Sequence, residues 1–406
     1  MHRVPLWIVA TILVALLPRD ALAEPLRAFA TSTLGNGNLA SWPEVASTDL
    51  VGLDAADGIC RAHALAAALD APERYVAWLS DRDSDAYCRV LGLAGKKADR
   101  CGEADLPTKA GPWFRTDGTP FAATIAEMTQ ANVVYAPLDV DEFGLTIAFP
   151  LESFSATDAR GTFDTEFGAD VDCQQWTSES ADQFATLGWN FTSSEGWTQA
   201  HSGAACSATR RLMCLESGTA STPKVAPSGR REAFVTSVNV TGNLGGLAGA
   251  DATCTTLASA AGLYRPDTFK ALLASSTAHL DATARFVFDG PWFRRDGLLF
   301  AHDKAELASG VVTLPLNVTE QGEYIGFAGA PTGANIDGSP REDGDCAGWT
   351  SAVGTSPAAL INGVQGPARG WFDAAGVRCG PRPPREPPLK LMCLADVDVM
   401  FHAEFD

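Results

Sequence analysis

Residues Gly246–Leu263 read GLAGADATCTTLASAAGL, and residues Gly52–Leu69 read GLDAADGICRAHALAAAL. Each joins a short loop to an Ala/Leu-rich run with helical apolar spacing and one cysteine, Cys254 or Cys60, on the apolar stripe. Asp251 and Gly262 bracket the later run as start and stop signals. Repetition continues downstream. GPWFRTDGTPFA at Gly111–Ala122 matches GPWFRRDGLLFA at Gly290–Ala301, and Cys173-Gln-Gln-Trp176-Thr-Ser matches Cys346-Ala-Gly-Trp349-Thr-Ser. The copies close with Arg211-Leu-Met-Cys214-Leu and Lys390-Leu-Met-Cys393-Leu. Upstream, Arg27–Leu39 matches Glu232–Leu244, with 11 extra residues in the first copy before its helix. Such repetition implies two copies of one domain rather than one large catalytic unit. Each copy has roughly 165 to 190 residues, enough to bury a core of its own.

Residues 1–23 read as a signal peptide: His2 and Arg3, an apolar run Val4–Leu17, and a small-x-small site at Ala21-Leu-Ala23. Residues 24–217 are then the first domain, 218–230 a linker, 231–397 the second domain and 398–406 an acidic tail. The expected destination is extracellular, or the periplasm or cell surface of a bacterium, with no membrane-spanning segment after cleavage. All 10 cysteines follow the cleavage point, and an oxidising compartment makes disulfides the expectation. The 33 positions from Cys173 to Cys206 recur from Cys346 to Cys379. Pairing first with last and the two central ones gives Cys60–Cys214 and Cys173–Cys206, then Cys254–Cys393 and Cys346–Cys379. Cys88 and Cys101 are left to close a short loop private to the first copy.

The run Gly246–Leu263 followed by Thr268-Phe-Lys-Ala-Leu-Leu-Ala-Ser-Ser276 resembles the start of the endostatin domain of collagens XV and XVIII. The likeness extends to a later Cys-x-x-Trp, a terminal Leu-x-Cys and nested disulfides, and covers Glu232–Val397; the first copy follows it with Tyr75-Val-Ala-Trp-Leu-Ser80. The resemblance implies two tandem C-type-lectin-like units, each an α+β fold with twisted, mainly antiparallel sheets. The residues themselves give the same class, since Phe234–Val240, Leu145–Phe149 and Arg285–Phe288 are β-rich. Weaker helical patterns lie near Ala123–Ala131 and Asp303–Ser309.

Composition and motifs narrow the function. A formal charge of −19 disfavours nucleic acid and heparin-like polyanions. No GxSxG, HExxH or phosphate-cradling glycine loop is present, and none of the histidines recurs in the other copy; His63, for example, aligns with Leu257. The expectation is a non-enzymatic extracellular binding or adhesion protein that recognises a glycan or a surface protein through its variable loops. The alternatives are a structural component of an extracellular matrix or envelope, a calcium-dependent lectin, and a hydrolase.

Candidate binding residues come from the places where the copies differ. Trp42 and Trp189 sit in variable loops, where exposure would let them stack on sugar rings, whereas the aligned tryptophans Trp113/Trp292, Trp176/Trp349 and Trp197/Trp371 read as core. Between Cys379 and Cys393 the second copy gains a proline-rich segment with Arg382, Arg385 and Lys390, a positive patch suited to an acidic partner or to self-association. No cofactor is expected, since no CxxC pair supports zinc and no Glu-Pro-Asn or Gln-Pro-Asp triplet supports calcium; acidic residues near the central cysteines nevertheless offer oxygen ligands for calcium, with Asp343, Asp345 and Asp373 as the candidates in the second copy. Non-reducing peptide mapping should find every bridge within one copy. A linkage between the 60–214 and 254–393 groups would overturn the two-copy organisation.

Overall fold

A helix with an inward-facing cysteine needs a sheet to pack on, and each half of the chain builds one from short strands. In the computed structural model, residues 25–220 and 231–398 are described, except 311, 326–327, 336, 354–360, 364–377, 384–385 and 387. The first half contributes β1 (Leu26–Ala30), β2 (Tyr75–Ala77), β3 (Trp113–Arg115), β4 (Pro120–Ala122), β5 (Glu152–Phe154), β6 (Phe184–Trp189), β7 (Gly203–Ala205) and β8 (Met213–Glu216). Its helices are α1 (Gly52–Ala66), α2 (Ala86–Val90) and α3 (Ile125–Gln130). The main sheet runs β2-β8-β1-β3-β4, antiparallel except for the β1–β3 pair, and β5-β6-β7 form a small second sheet.

The second half repeats this plan with β9 (Glu232–Val235), β10 (Phe269–Ala271), β11 (Trp292–Arg294), β12 (Leu299–Ala301), β13 (Gly329–Pro331), β14 (Ile361–Gly363) and β15 (Met392–Ala395). Its helices are α4 (Gly246–Ala260) and α5 (Lys304–Ala308). The order β10-β15-β9-β11-β12 reproduces the first sheet strand for strand, including one parallel pair, β9–β11. The architecture is mixed α+β with several sheets and five disulfides: Cys60–Cys214, Cys88–Cys101, Cys173–Cys206, Cys254–Cys393 and Cys346–Cys379. Among the described residues, no helix is long and apolar enough to cross a membrane. Residues 1–23, expected to form a signal peptide, and most of 398–406 lie outside the described residues.

Several sequence expectations shift once the chain is folded. Asp251 does not start its helix, because α4 begins one turn earlier at Gly246. Its carboxylate instead accepts the Ala271 N–H at 2.9 Å and pairs with Arg285 at 2.6 Å, tying the helix to β10. Asp57 performs the same task on Ala77 N and Arg89 in the first half. Leu145–Phe149 forms no ladder strand, only the single bridge Val140–Thr146, and Arg285 ends a short 3-10 turn.

Each Cys-x-x-Trp turn is left-handed. Cys173, Gln174, Gln175 and Trp176 have φ of 49°, 55°, 56° and 63°, and Cys346, Ala347, Gly348 and Trp349 match them at 48°, 56°, 69° and 64°. Left-handed backbone costs an ordinary L-residue roughly 1–2 kcal/mol, so the four in the first turn and the three beside Gly348 in the second need external support. The disulfide holds one end, and an indole N–H holds the other by donating to Ser80 O or Ala274 O. The preceding carboxylate caps the turn: Asp172 accepts from Gln175 N at 3.1 Å, and Asp345 from Gly348 N at 3.0 Å. Burial alone would raise the Asp345 pKa, but hydrogen bonds from Gly348, Thr277 and Ser275 outweigh it and hold the carboxyl below its usual range.

A buried arginine joins the halves. Arg294 donates to Pro315 O at 2.9 Å and, across the boundary, to Tyr135 O at 2.8 Å, with Asp296 as its ion-pair partner. Asn317 adds bonds to Val134 O and Ser193 Oγ, and the Tyr135 and Tyr324 rings lie 6.0 Å apart.

Replacing Asp345 with Ala should destabilise the protein by about 1–2 kcal/mol, the usual weight of a lost cap. The Asp345 pKa is depressed in the fold, so its contribution is full above the unfolded carboxylate pKa near ~4 and is lost as pH falls through the folded value. Urea unfolding of wild type and Asp345→Asn should therefore differ at neutral pH and converge in acid.

Candidate ligand-binding cleft

Where the two halves diverge, the first gains a cleft. Ser80 and Gly111 are 31 positions apart, while their counterparts Ala274 and Gly290 are 16 apart, so the first half carries 15 more residues here. Those residues form α2 and the loop closed by Cys88–Cys101, and they carry the adjacent pair Lys96-Lys97. Against them pack the end of α3 and the 158–165 loop. The result is an open cavity of about 850 Å³ lined by residues that include Arg82, Lys96, Lys97, Leu106, Arg160 and Phe163.

Asp85 organises this wall. It is almost fully buried, and its two oxygens accept the Lys97 N–H at 2.8 Å, the Phe163 N–H at 2.9 Å and the Lys96 ammonium at 3.0 Å. One carboxylate thus ties its own loop at Lys96-Lys97 to the distant Phe163 backbone. Lys96 also donates to Asp81 O at 2.8 Å and lies 5.2 Å above the Phe163 ring. Lys97 donates to Arg160 O at 2.7 Å and to Thr129 Oγ1 at 3.2 Å, over the Tyr87 ring at 4.0 Å. Burial pulls its pKa below the usual lysine range.

Three of the four cations that line the cleft have carboxylate partners. Lys96 pairs with Asp85, Arg160 with Asp158 at 2.7 Å, and Arg82 with Asp172 at 3.2 Å and Asp170 at 3.3 Å. Among the described residues no carboxylate forms an ion pair with Lys97, whose side-chain acceptors are a hydroxyl and a carbonyl.

The structure does not gather the sequence candidates around this cavity. Trp42 is buried rather than exposed, because its ring packs on Gly35 and its N–H donates to Asn36 O at 2.9 Å; it braces the insertion. Trp189 is half-buried and stacks on Phe191 at 5.5 Å. Lys390 does not join a surface patch: it is buried and donates to Ser237 O at 2.8 Å, as its counterpart Arg211 does to Ser32 O. Arg382 is largely covered and pairs with Glu386 at 3.0 Å, while Arg385 lies outside the described residues. Asp345 is committed to its turn, Asp343 is exposed, and Asp373 lies outside the described residues. Among the described residues no group of three metal-binding side chains converges.

Sequence reading missed one buried cluster. His63 lies between two carboxylates, with Nδ1 2.8 Å from Glu142 and Nε2 3.2 Å from Glu44 and 3.0 Å from the Thr33 hydroxyl. A hydroxyl, an imidazole and a carboxylate in a row suggest nucleophilic chemistry. The second half argues for a structural role instead. Glu320, the counterpart of Glu142, binds Ser237 N at 3.0 Å as Glu142 binds Ser32 N, although Leu257 stands in place of His63 and Val238 in place of Thr33. The glutamate holds a chain turn in both halves, and Glu44 competes with Thr33 for Nε2. Burial would raise the Glu142 pKa, but bonds from His63 and Ser32 outweigh it and lower the pKa overall. The common Val-x-Glu-x-Gly at Val140–Gly144 and Val318–Gly322 was the signal for these glutamates; an insertion carrying the only Lys-Lys pair was the signal for the cleft.

No known protein-family model matches this chain, and no curated protein matches its sequence. The cleft is therefore read from its own chemistry.

Replacing both Cys88 and Cys101 with Ser should release the wall, with about 2–3 kcal/mol lost for a loop of this size. Hydrogen exchange should quicken at the Lys97 and Phe163 amides, which Asp85 holds, and remain slow in β8.

Proposed function

We propose that this chain is a secreted, non-catalytic recognition protein made of two endostatin-like units with a C-type-lectin-like fold, and that its ligand site is the cleft of the first half. The observation that carries the reading is the cavity of about 850 Å³, framed by loops anchored on Asp85 and on a private disulfide. Its volume falls within the range of small-molecule sites. Its lining mixes threonine hydroxyls, ammonium groups and the apolar surfaces of Leu106 and Phe163, as a sugar with polar edges and apolar faces requires. The family assignment is supported by the repeated sheet order, the nested bridges within each half and the Gly246–Leu263 motif. Secretion is supported by the five bridges and by the N-terminal sequence.

The second half, with a shorter segment here, serves in this reading as a scaffold. Arg294 and Asn317 fix it against residues 134–135 and 193 of the first half. The disulfide-intact chain should bind a subset of glycans saturably on an array. Leu106→Arg, which places a bulky cation in the cavity, should abolish that binding while near-ultraviolet dichroism stays unchanged. Undiminished binding by the variant would place the ligand elsewhere.

A further inference from the structure

We propose that the cleft recognises a sugar bearing a single anionic group, a carboxylate or a sulfate, and that Lys97 receives the charge. This inference rests on the cleft being the ligand site. The chain contains 49 acidic residues against 30 basic ones, yet none of the described acids pairs with the Lys97 ammonium. An ammonium group partly removed from water gains from a counter-ion. The half-buried Lys97 side chain has two of its three N–H donors satisfied by neutral oxygens and one face covered by the Tyr87 ring, while Asp158 and Asp85 act on its charge only from beyond ion-pair distance, which leaves one donor for a ligand anion.

The neighbouring cations differ in this respect. Lys96, Arg82 and Arg160 each have a carboxylate within 3.3 Å, so their charges are already balanced by Asp85, Asp172 and Asp158. Of the charged residues that line the cavity, Arg82, Lys96, Lys97 and Arg160 are cationic, and Asp85 alone is acidic. An incoming anion therefore meets a positive wall with one position free. Burial has already lowered the Lys97 pKa, and a bound anion would offset that by favouring the protonated form. Selectivity for one charge rather than a chain of charges follows from the rest of the molecule, whose net −19 repels an extended polyanion beyond the cleft.

The test uses the full disulfide-bonded chain and three probes, glucuronate, glucose 6-sulfate and glucose, titrated calorimetrically at low salt with amide shifts mapped by NMR. Glucuronate, glucose 6-sulfate or both should bind about tenfold or more tightly than glucose, the weight of one charge-assisted hydrogen bond. Which of the two prevails separates carboxylate from sulfate recognition. Lys97→Met should bring the anion-to-glucose affinity ratio down to about one, and Lys97→Arg should restore much of the preference. Equal affinity for glucose and both anions, or an undiminished preference in Lys97→Met, would overturn the anion assignment. The cleft itself would still stand if the shifts surround Leu106 and Phe163. Shifts confined to other surfaces, or no saturable binding of any probe, would overturn the inference; in the first case the cleft reading falls with it.

Discussion

Each half depends on one covalent tie between its long helix and the strand at the centre of its pairing. β8 pairs with both β1 and β2, and its Cys214 bridges to Cys60 on α1; β15 and Cys393 bridge to Cys254 on α4 in the same way. Strands of three to five residues offer few ladder bonds. A short sheet of this kind gains stability from packing against a helix. The Asp57 and Asp251 carboxylates reinforce that packing by binding β2 and β10 from the helix. With helix, β8 and β1 locked together, the long second part of each half can wander as loops and return for its last strand.

Acidic residues account for much of the order in those loops. Asp172 and Asp345 cap left-handed turns, Glu142 and Glu320 hold the backbone after β1 and β9, and Asp85 ties the Lys96-Lys97 loop to Phe163 beside the cleft. A carboxylate can accept several N–H bonds at once, which makes it an efficient organiser of backbone that lacks a ladder. A strongly negative composition therefore does not by itself mark an acidic binding surface. Several of these acids are almost fully buried, and their negative charge is directed inward.

The two halves share one scaffold and differ in the excursions it carries. The scaffold of matched strands, helices and turns is common to both, whereas α2, the Cys88–Cys101 loop, Trp42 and the His63–Glu44 contact belong to the first half. The extra disulfide lets this half hold a longer excursion without extending its sheet. The cleft is a by-product of that excursion standing against α3 and the 158–165 loop.

The sequence by itself determined the repetition, the α+β class and the positions of the Cys-bearing helices, because these depend on local periodicity and on motifs that recur at matched positions. It also showed that the first half carries a loop of its own. Only the tertiary structure decided what individual polar residues do. Asp251 looked like a cap and binds a strand, Lys390 looked like surface charge and is buried, and Trp42 looked exposed and fills a gap beside Gly35. The reason is range: the partners of these side chains lie from 6 to 153 positions away, and no window along the chain contains both ends of the longer contacts. The cleft illustrates the same limit, since Asp85 meets Lys97 within its own loop but reaches Phe163 only through the fold.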